Sequence, residues 1–388
     1  MDGKKYRLIS ADSHLEIAPD RWTARVPAKY QARAPRRIKL PSGGDGVIVE
    51  GRNLYVLGLA ITGKPPEEHA LDGISYDTGP GAGSPEQRLR EQDQDGVDAE
   101  IMFTSAGNFM FWRGIRDDAA YRSVIHAYNE FLAEEYCAAA PDRLLAMGLI
   151  PITNIEDAVA ELEYCAKAGL KGVALGTFPS GKGFPTAEDD RFWASSLDLN
   201  MPLTIHVGFI GREGPSFQYE RLPHDIQPGG FGGDPVRQLA RFGGEACVNA
   251  IQLALAGVFD RFPQLRIYFA ETMVGWLPYF LEQLDDNWRR DRYWMERYYG
   301  IEPFKRQPSE YIREHCWWGF LRDPYGVKVR HDAGIGRIMW ANDFPHSASD
   351  WPHSKEVIEE MFAGVPQDEC DQVLAGNAIE YFHLEGAR

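Results

Sequence analysis

Residues 7–16 read Arg7-Leu8-Ile9-Ser10-Ala11-Asp12-Ser13-His14-Leu15-Glu16. The apolar pair Leu8 and Ile9 marks a buried strand. Its apolar character stops at Asp12. Side chains at i and i+2 of a strand project to the same side. Asp12 and His14 at a strand's carboxyl end therefore aim a carboxylate and an imidazole at one point, and both groups bind divalent metals. Glu16 continues the spacing if the strand geometry persists. Alone, the stretch has a plainer reading: a strand followed by a helix start, with Asp12 or Ser13 as the N-cap and His14 incidental. The ends of the other strands decide between the two.

From Ser84 the pattern is regular. Ser84-Pro85-Glu86-Gln87 opens a helix that runs to about Asp95, with Ser84 as N-cap and Pro85 at the first helical position. Further strands are expected at Ala99–Thr104, Leu144–Ile150, Gly172–Leu175, Pro202–Val207, Leu265–Ala270, Trp317–Phe320 and Ile338–Trp340. Helices are expected at Asp117–Ala140, Asn154–Ala168, Asp189–Leu199, Glu245–Phe262, Leu277–Arg289, Tyr325–Ala333, Lys355–Phe362 and Gln367–Phe382. Strand–helix alternation specifies a parallel sheet, and about eight such units specify an α/β (β/α)8 TIM barrel. A doubly wound open sheet is the alternative, but no Gly-rich phosphate loop follows the first strand. One barrel domain over residues 1–388 is expected, with an insertion at about 19–83 and a long Gly/Pro-rich loop at 209–235. Arg37–Leu40, Gly46–Glu50 and Arg52–Leu57 read as short strands of the insertion, which lies over one end of the core. Such excursions are commonly lids or substrate walls.

Catalytic groups of such barrels sit just past the strands' carboxyl ends. Read there, the first strand gives Asp12 and His14, the fifth His206, the sixth Glu271, and the eighth Asp343 followed by Phe344-Pro345-His346. Each has a bland alternative: His206 a hydrogen-bonded core histidine, Glu271 a cap or an arginine partner, Asp343 an Asx-turn before Pro345. Four apolar strands that each end abruptly in an ionisable residue argue against coincidence. Desolvating such groups without a partner costs too much, and a shared cation at the barrel mouth satisfies them together.

The chain resembles the amidohydrolase superfamily, in particular its decarboxylase-like, amidohydrolase-2 branch. The matching pieces are Ala11-Asp12-Ser13-His14-Leu15-Glu16, Ile205-His206-Val207, Glu271 with Gly275-Trp276, Asn342-Asp343-Phe344-Pro345-His346 and Gly376-Asn377-Ala378. The resemblance implies metal ligation by Asp12, His14, His206 and Asp343, an acid/base role for Asp343, and a supporting or substrate-contacting role for His346. Two departures matter. Many relatives have His-x-His where this chain has Asp12-x-His14, and many carry a catalytic histidine where it has Glu271. No lysine suits a carbamylated bridge after strand four, since Lys171 lies at that strand's start. The carboxylate-rich set suits one or two divalent metals per chain, zinc, manganese or iron, with Glu271 as a further ligand or catalytic group. Hydrolysis by metal-activated water is the first expectation, non-oxidative decarboxylation of an aromatic or related acid the second, and iron-dependent oxygen chemistry the third. A metal-stabilised binding protein is a weaker, non-enzymatic reading.

Composition sets the outer limits. The chain has 388 residues, 44% hydrophobic and 25% charged, with a formal charge of −16. That charge and scattered basic residues argue against a nucleic-acid partner. No apolar run reaches the roughly 18–20 residues that span a bilayer, and no signal peptide is read at the start. Five widely spaced cysteines without a CxxC suggest reduced thiols and a cytoplasmic location. The expected partner is a small, fairly apolar substrate, walled by some of Phe109, Phe111, Trp112, Trp276, Trp317, Trp318 and Trp351. Arg113, Arg212 and Arg322 are candidates to hold a substrate carboxylate. His224, His315 and His353 read as loop residues without catalytic work. The family resemblance implies a homodimer or homotetramer.

Overall fold

The computed structural model describes residues 6–50, 53–56, 60–70, 73–104, 112–206, 244 and 246–384. Eight parallel strands form the barrel: β1 Ile9–Leu15, β2 Ala99–Thr104, β3 Leu144–Ala146 with Gly148–Leu149, β4 Val173–Leu175, β5 Leu203–His206, β6 Ile267–Ala270, β7 Cys316–Phe320 and β8 Ile338–Trp340. β3 changes partner at Met147: Leu144–Ala146 pairs with β2, and Gly148–Leu149 with β4. At the other seam the Asp343 amide donates to the Asp12 carbonyl across 3.0 Å, and the His14 amide to the Phe344 carbonyl across 2.7 Å. The sequence of β1 to β8 around the barrel is the expected one.

The strands are buried along their lengths, as apolar strands covered by helices must be. Phe269 of β6 stacks on Trp318 of β7 with centroids 4.8 Å apart, a contact worth about 0.5–1.5 kcal/mol beyond area burial. One irregularity was not anticipated. The register of β1 against β2 shifts between Ser10 and Ser13. The extra residue is a bulge that re-aims the strand at Asp12.

Helix α1 spans Pro85–Asp95, capped as expected by Ser84, whose side chain accepts from the Gln87 amide. It buries Pro85, Arg88, Gln92 and Asp95, a largely polar stripe at helical spacing. Four expected helices are interrupted. Tyr325–Ala333 divides into Pro324–Lys328 and Arg330–Ala333, and Gln367–Phe382 carries a wider turn at Gln372–Gly376. Asp118–Phe131 passes into a wider turn at Leu132–Tyr136. Ala246–Leu255 is separated from Val258–Arg261 by Gly257, at φ 66°. Leu277–Tyr299 runs ten residues past its expected end, and Pro308–His315 was not expected.

The insertion carries an antiparallel sheet of Arg36–Lys39, Asp45–Val49 and Asn53–Val56. Asp45 is its hub. Its carboxylate meets Arg37 Nη2 at 2.8 Å, Lys39 Nζ at 2.7 Å, Ser75 Oγ at 2.9 Å and the Tyr76 amide at 2.8 Å. The segment docks on the loop after β8: the Thr62 amide donates to the Pro345 carbonyl at 3.2 Å. Gly81 crosses beside it at φ +67°, where a Cβ would lie 2.6 Å from Pro345. Only glycine fits both that backbone conformation and that approach. The expected long loop at 209–235 lies outside the described residues. Among the described residues no helix is long and apolar enough to cross a membrane.

Candidate metal centre

Five of the anticipated side chains converge. Asp12 and His14 come from β1, and His206 ends β5. Glu271 and Asp343 follow β6 and β8. His14 Nε2 lies 3.1 Å from Asp343 Oδ1 and 3.6 Å from Asp12 Oδ1. His206 Nε2 lies 3.3 Å from Asp12 Oδ1 and 3.8 Å from Glu271 Oε2. Asp12, Glu271 and Asp343 each offer a carboxylate oxygen within 4.8 Å of the others'. Asp12, His14 and Asp343 are almost fully buried.

The backbone is bent to achieve this. Glu271 and Asp343 adopt left-handed φ values of 57° and 52°. Residues other than glycine take that conformation at a cost, and it clusters at functional sites. At both positions it turns the carboxylate at the strand's end.

The donor set fits a divalent cation. Both Asp12 carboxylate oxygens, His14 Nε2 and Asp343 Oδ1 are buried and make no hydrogen bond. His14 Nδ1 lies 3.3 Å from the Thr104 carbonyl, and a proton there leaves the Nε2 lone pair facing the Asp343 carboxylate. Lone pairs opposed at this range in a buried site repel without a positive charge between them. Burial lowers the His14 pKa from its ordinary value, and the charge of His346 adds to the effect. A neutral imidazole is the form that binds metal.

His346 stacks on His14, centroids 3.8 Å apart. Its Nδ1 lies 3.1 Å from Asp343 Oδ1 and its Nε2 lies 3.4 Å from Glu16 Oε1. Burial opposes its charged form, but Asp343 and Glu16 outweigh burial and push it up to about 10. Burial likewise opposes the Asp343 carboxylate, and the two imidazoles overcome it, holding Asp343 well below its usual range. Glu16 stands behind His346 rather than at the convergence of the other five.

Other anticipated residues lie elsewhere. Arg113 pairs with Asp118 at 2.9 Å, and Arg322 lies 3.5 Å from Asp350 and 3.4 Å from Glu360. His315 is not a loop residue: it ends the helix Pro308–His315, stacks on Phe259 and lies 2.8 Å from the Leu265 carbonyl. His353 is exposed at a helix start. Trp112, Trp317 and Trp318 are core residues, Trp276 is half-buried beside Phe280, and Trp351 donates to the Glu91 carbonyl at 3.0 Å. Phe109, Phe111, Arg212 and His224 lie outside the described residues.

Sequence reasoning missed what lies behind the centre. Arg88 and Glu100 are buried there, and Ser10 Oγ accepts from the Asn342 amide at 3.0 Å while donating toward the Asp12 carbonyl at 2.7 Å. The available signal was the polar stripe of α1, whose period is helical.

A family model described as amidohydrolase matches residues 11–384. The gamma-resorcylate decarboxylase of Rhizobium sp. (strain MTP-10005) is 27% identical over 319 residues, 77% of this chain and 87% of that protein. Two solved structures share the fold. An amidohydrolase of Mycobacterium avium subsp. paratuberculosis matches with a TM-score of 0.72 and 16% identity, over 97% of this chain and 99% of the other. The 5-carboxyvanillate decarboxylase of Novosphingobium aromaticivorans, complexed with manganese and 4-hydroxy-3-methoxy-5-nitrobenzoic acid, matches with a TM-score of 0.66 and 19% identity, over 99% and 98%.

Proposed function

The chain belongs to the amidohydrolase family, and from that premise we propose that it is a metal-dependent, non-oxidative decarboxylase of an aromatic or related carboxylic acid. One observation carries the reading: buried Asp12, His14 and Asp343 present unbonded atoms to one another, with His346 held against Asp343. The decarboxylase relatives supply the reaction class. This order reverses the first expectation, which put hydrolysis ahead.

Asp12, His14, His206 and Asp343 would hold the cation, with Glu271 beside them, and manganese is the ion bound in the related decarboxylase. A bound divalent cation supplies Lewis-acid attraction for the substrate carboxylate and a neighbouring oxygen. The chain's own groups manage the proton. The bond from the ring carbon to the carboxylate breaks, carbon dioxide leaves, and the electron pair stays on the carbon. One proton must then reach that carbon. His346 holds the proton and passes it to the carbon through Asp343, across the 3.1 Å contact, and is left neutral. Glu16 holds the far side of the imidazole. Burial of Asp343 and His346 keeps bulk water from competing for the proton.

Glu271 favours hydrolysis as a second reading. A third carboxylate at the centre can take a proton from an attacking water. Incubation of manganese-loaded protein in deuterated water with ortho-hydroxylated aromatic acids separates the two. Decarboxylation releases carbon dioxide and leaves one deuterium on the ring carbon. Turnover of esters, lactones or amides, with no carbon dioxide from any acid, would establish hydrolysis instead.

A further inference from the structure

α1 buries a guanidinium directly behind the centre. Arg88 Nη1 donates to the His14 carbonyl at 2.9 Å, and Nη2 to the Phe344 carbonyl at 3.3 Å. His14 is the next-to-last residue of the bulged strand β1, and Phe344 directly follows Asp343. One planar group thus holds the backbone on both sides of the β1–β8 seam. Its Nε donates to Glu100 Oε2 of β2 at 2.6 Å, where Gln92 Nε2 also donates at 2.8 Å. The guanidinium carbon lies 4.5 Å from the Phe344 ring centroid. Arg88 and Glu100 are both about 1% exposed. The arrangement continues one turn on, where Asp95 accepts from Asn342 Nδ2 at 3.2 Å and from Ser354 Oγ at 2.7 Å.

This is an expensive way to secure a seam. A buried ion pair costs desolvation that an apolar pair of the same shape avoids, so it is weak as a stability device. What a guanidinium offers is a rigid fork with donors at fixed angles. Here the fork spans two carbonyls, and each belongs to a segment that carries one of the opposed groups, His14 and Asp343. Separating those segments by a fraction of an ångström would spread the donor set. Groups behind a metal's ligands govern its affinity in this way.

We propose that Arg88, seated on Glu100, is a positioning residue that sets the spacing of His14 and Asp343 and so the affinity of the centre for its cation. The proposal rests on the metal-centre reading above. It makes no claim on the reaction catalysed.

The test is the manganese dissociation constant of the full-length apo-protein, measured by competition with a chelator, for wild type, Arg88→Lys and the double variant Arg88→Met with Glu100→Gln. The double variant removes both charges, so neither is left buried alone. Alongside, thermal unfolding in excess chelator reads stability without metal. Wild type is expected to bind one or two ions. The double variant is expected to bind them about 10–100-fold more weakly. Arg88→Lys, which offers a point charge in place of the fork, is expected to fall between, and it decides alone if the double variant does not fold. A purely structural arginine would lower the unfolding temperature and leave the dissociation constant within twofold of wild type, which overturns the proposal. Wild type that binds no divalent ion would overturn the metal-centre reading itself, and this proposal with it.

Discussion

The backbone amide of Asp343 donates to the carbonyl of Asp12 across 3.0 Å. Two residues more than three hundred positions apart are thereby fixed at the seam between the first and last barrel strands. Their side chains then face the same small volume, where His14, His206 and Glu271 join them. The centre is a consequence of barrel closure: it exists only when β1 and β8 meet.

Asp343 sits between two imidazoles, and its replacement is the direct test of the proton route. Asp343→Asn is expected to fold and to lose about 10²–10⁴-fold in turnover, the usual scale for a positioned acid or base. Steady-state rates with circular dichroism as a folding control check this. A folded variant with near-normal rate removes Asp343 from the acid/base role.

Glu271 brings a carboxylate oxygen within 4.8 Å of those of Asp12 and Asp343 on a left-handed backbone, and the proposed centre gives it a part in holding the cation. Glu271→Gln keeps its shape and removes its charge. Metal content after dialysis should fall below wild type, read by elemental analysis. Undiminished metal with slowed turnover would move Glu271 from holding the cation to handling a proton.

Removal of the cation should cost stability as well as activity. Ligand bound only to the folded state stabilises by RT ln(1 + [L]/Kd), about 2.7 kcal/mol at one hundred times Kd. Chelator should therefore lower the unfolding temperature, and manganese should restore it in proportion to the logarithm of its concentration. An unfolding temperature indifferent to both would speak against a specific site.

The insertion has its own pH signature at Asp45. Burial opposes the Asp45 carboxylate, but Arg37, Lys39, Ser75 and the Tyr76 amide outweigh it and bring the pKa from 3.8 to about 2. A carboxylate whose pKa is depressed on folding contributes stability above its unfolded pKa. The contribution disappears as pH falls through the folded value. A shift of this size is worth about 2 kcal/mol. Asp45→Asn should be destabilised by that order near pH 6, and the gap to wild type should narrow from about pH 4 towards pH 2. Denaturant unfolding across that range reads the effect, and a gap independent of pH would contradict it.

Much of this was readable in the chain because its causes are local. Ala99–Thr104 is apolar and β-rich apart from Glu100 and the terminal Thr104, and it is a strand over those residues. Ser84 and Pro85 carry the chemistry of a helix start and make one. Asp12, His14, His206, Glu271 and Asp343 stood out because charge at the end of an apolar strand is conspicuous. What was not readable depends on distant contacts. Arg88 lies in the sequence Pro85-Glu86-Gln87-Arg88-Leu89-Arg90-Glu91, which looks like a solvated face. Its partners are Glu100, His14 and Phe344, the last 256 positions away. The left-handed turns at Glu271 and Asp343 lack the usual glycine signal. The end of Leu277–Tyr299 was missed because its last turns are exposed, with Tyr293, Trp294, Tyr298 and Tyr299 set among charged residues rather than on a buried stripe that would mark the helix.

The most direct single measurement is anomalous diffraction at the manganese edge from crystals grown with the ion. The predicted result is a peak bounded by Asp12, His14, His206 and Asp343, with Glu271 within reach. A well-ordered centre with no peak there, or a peak only at another place in the molecule, would contradict the central claim that these strand ends form one cation site.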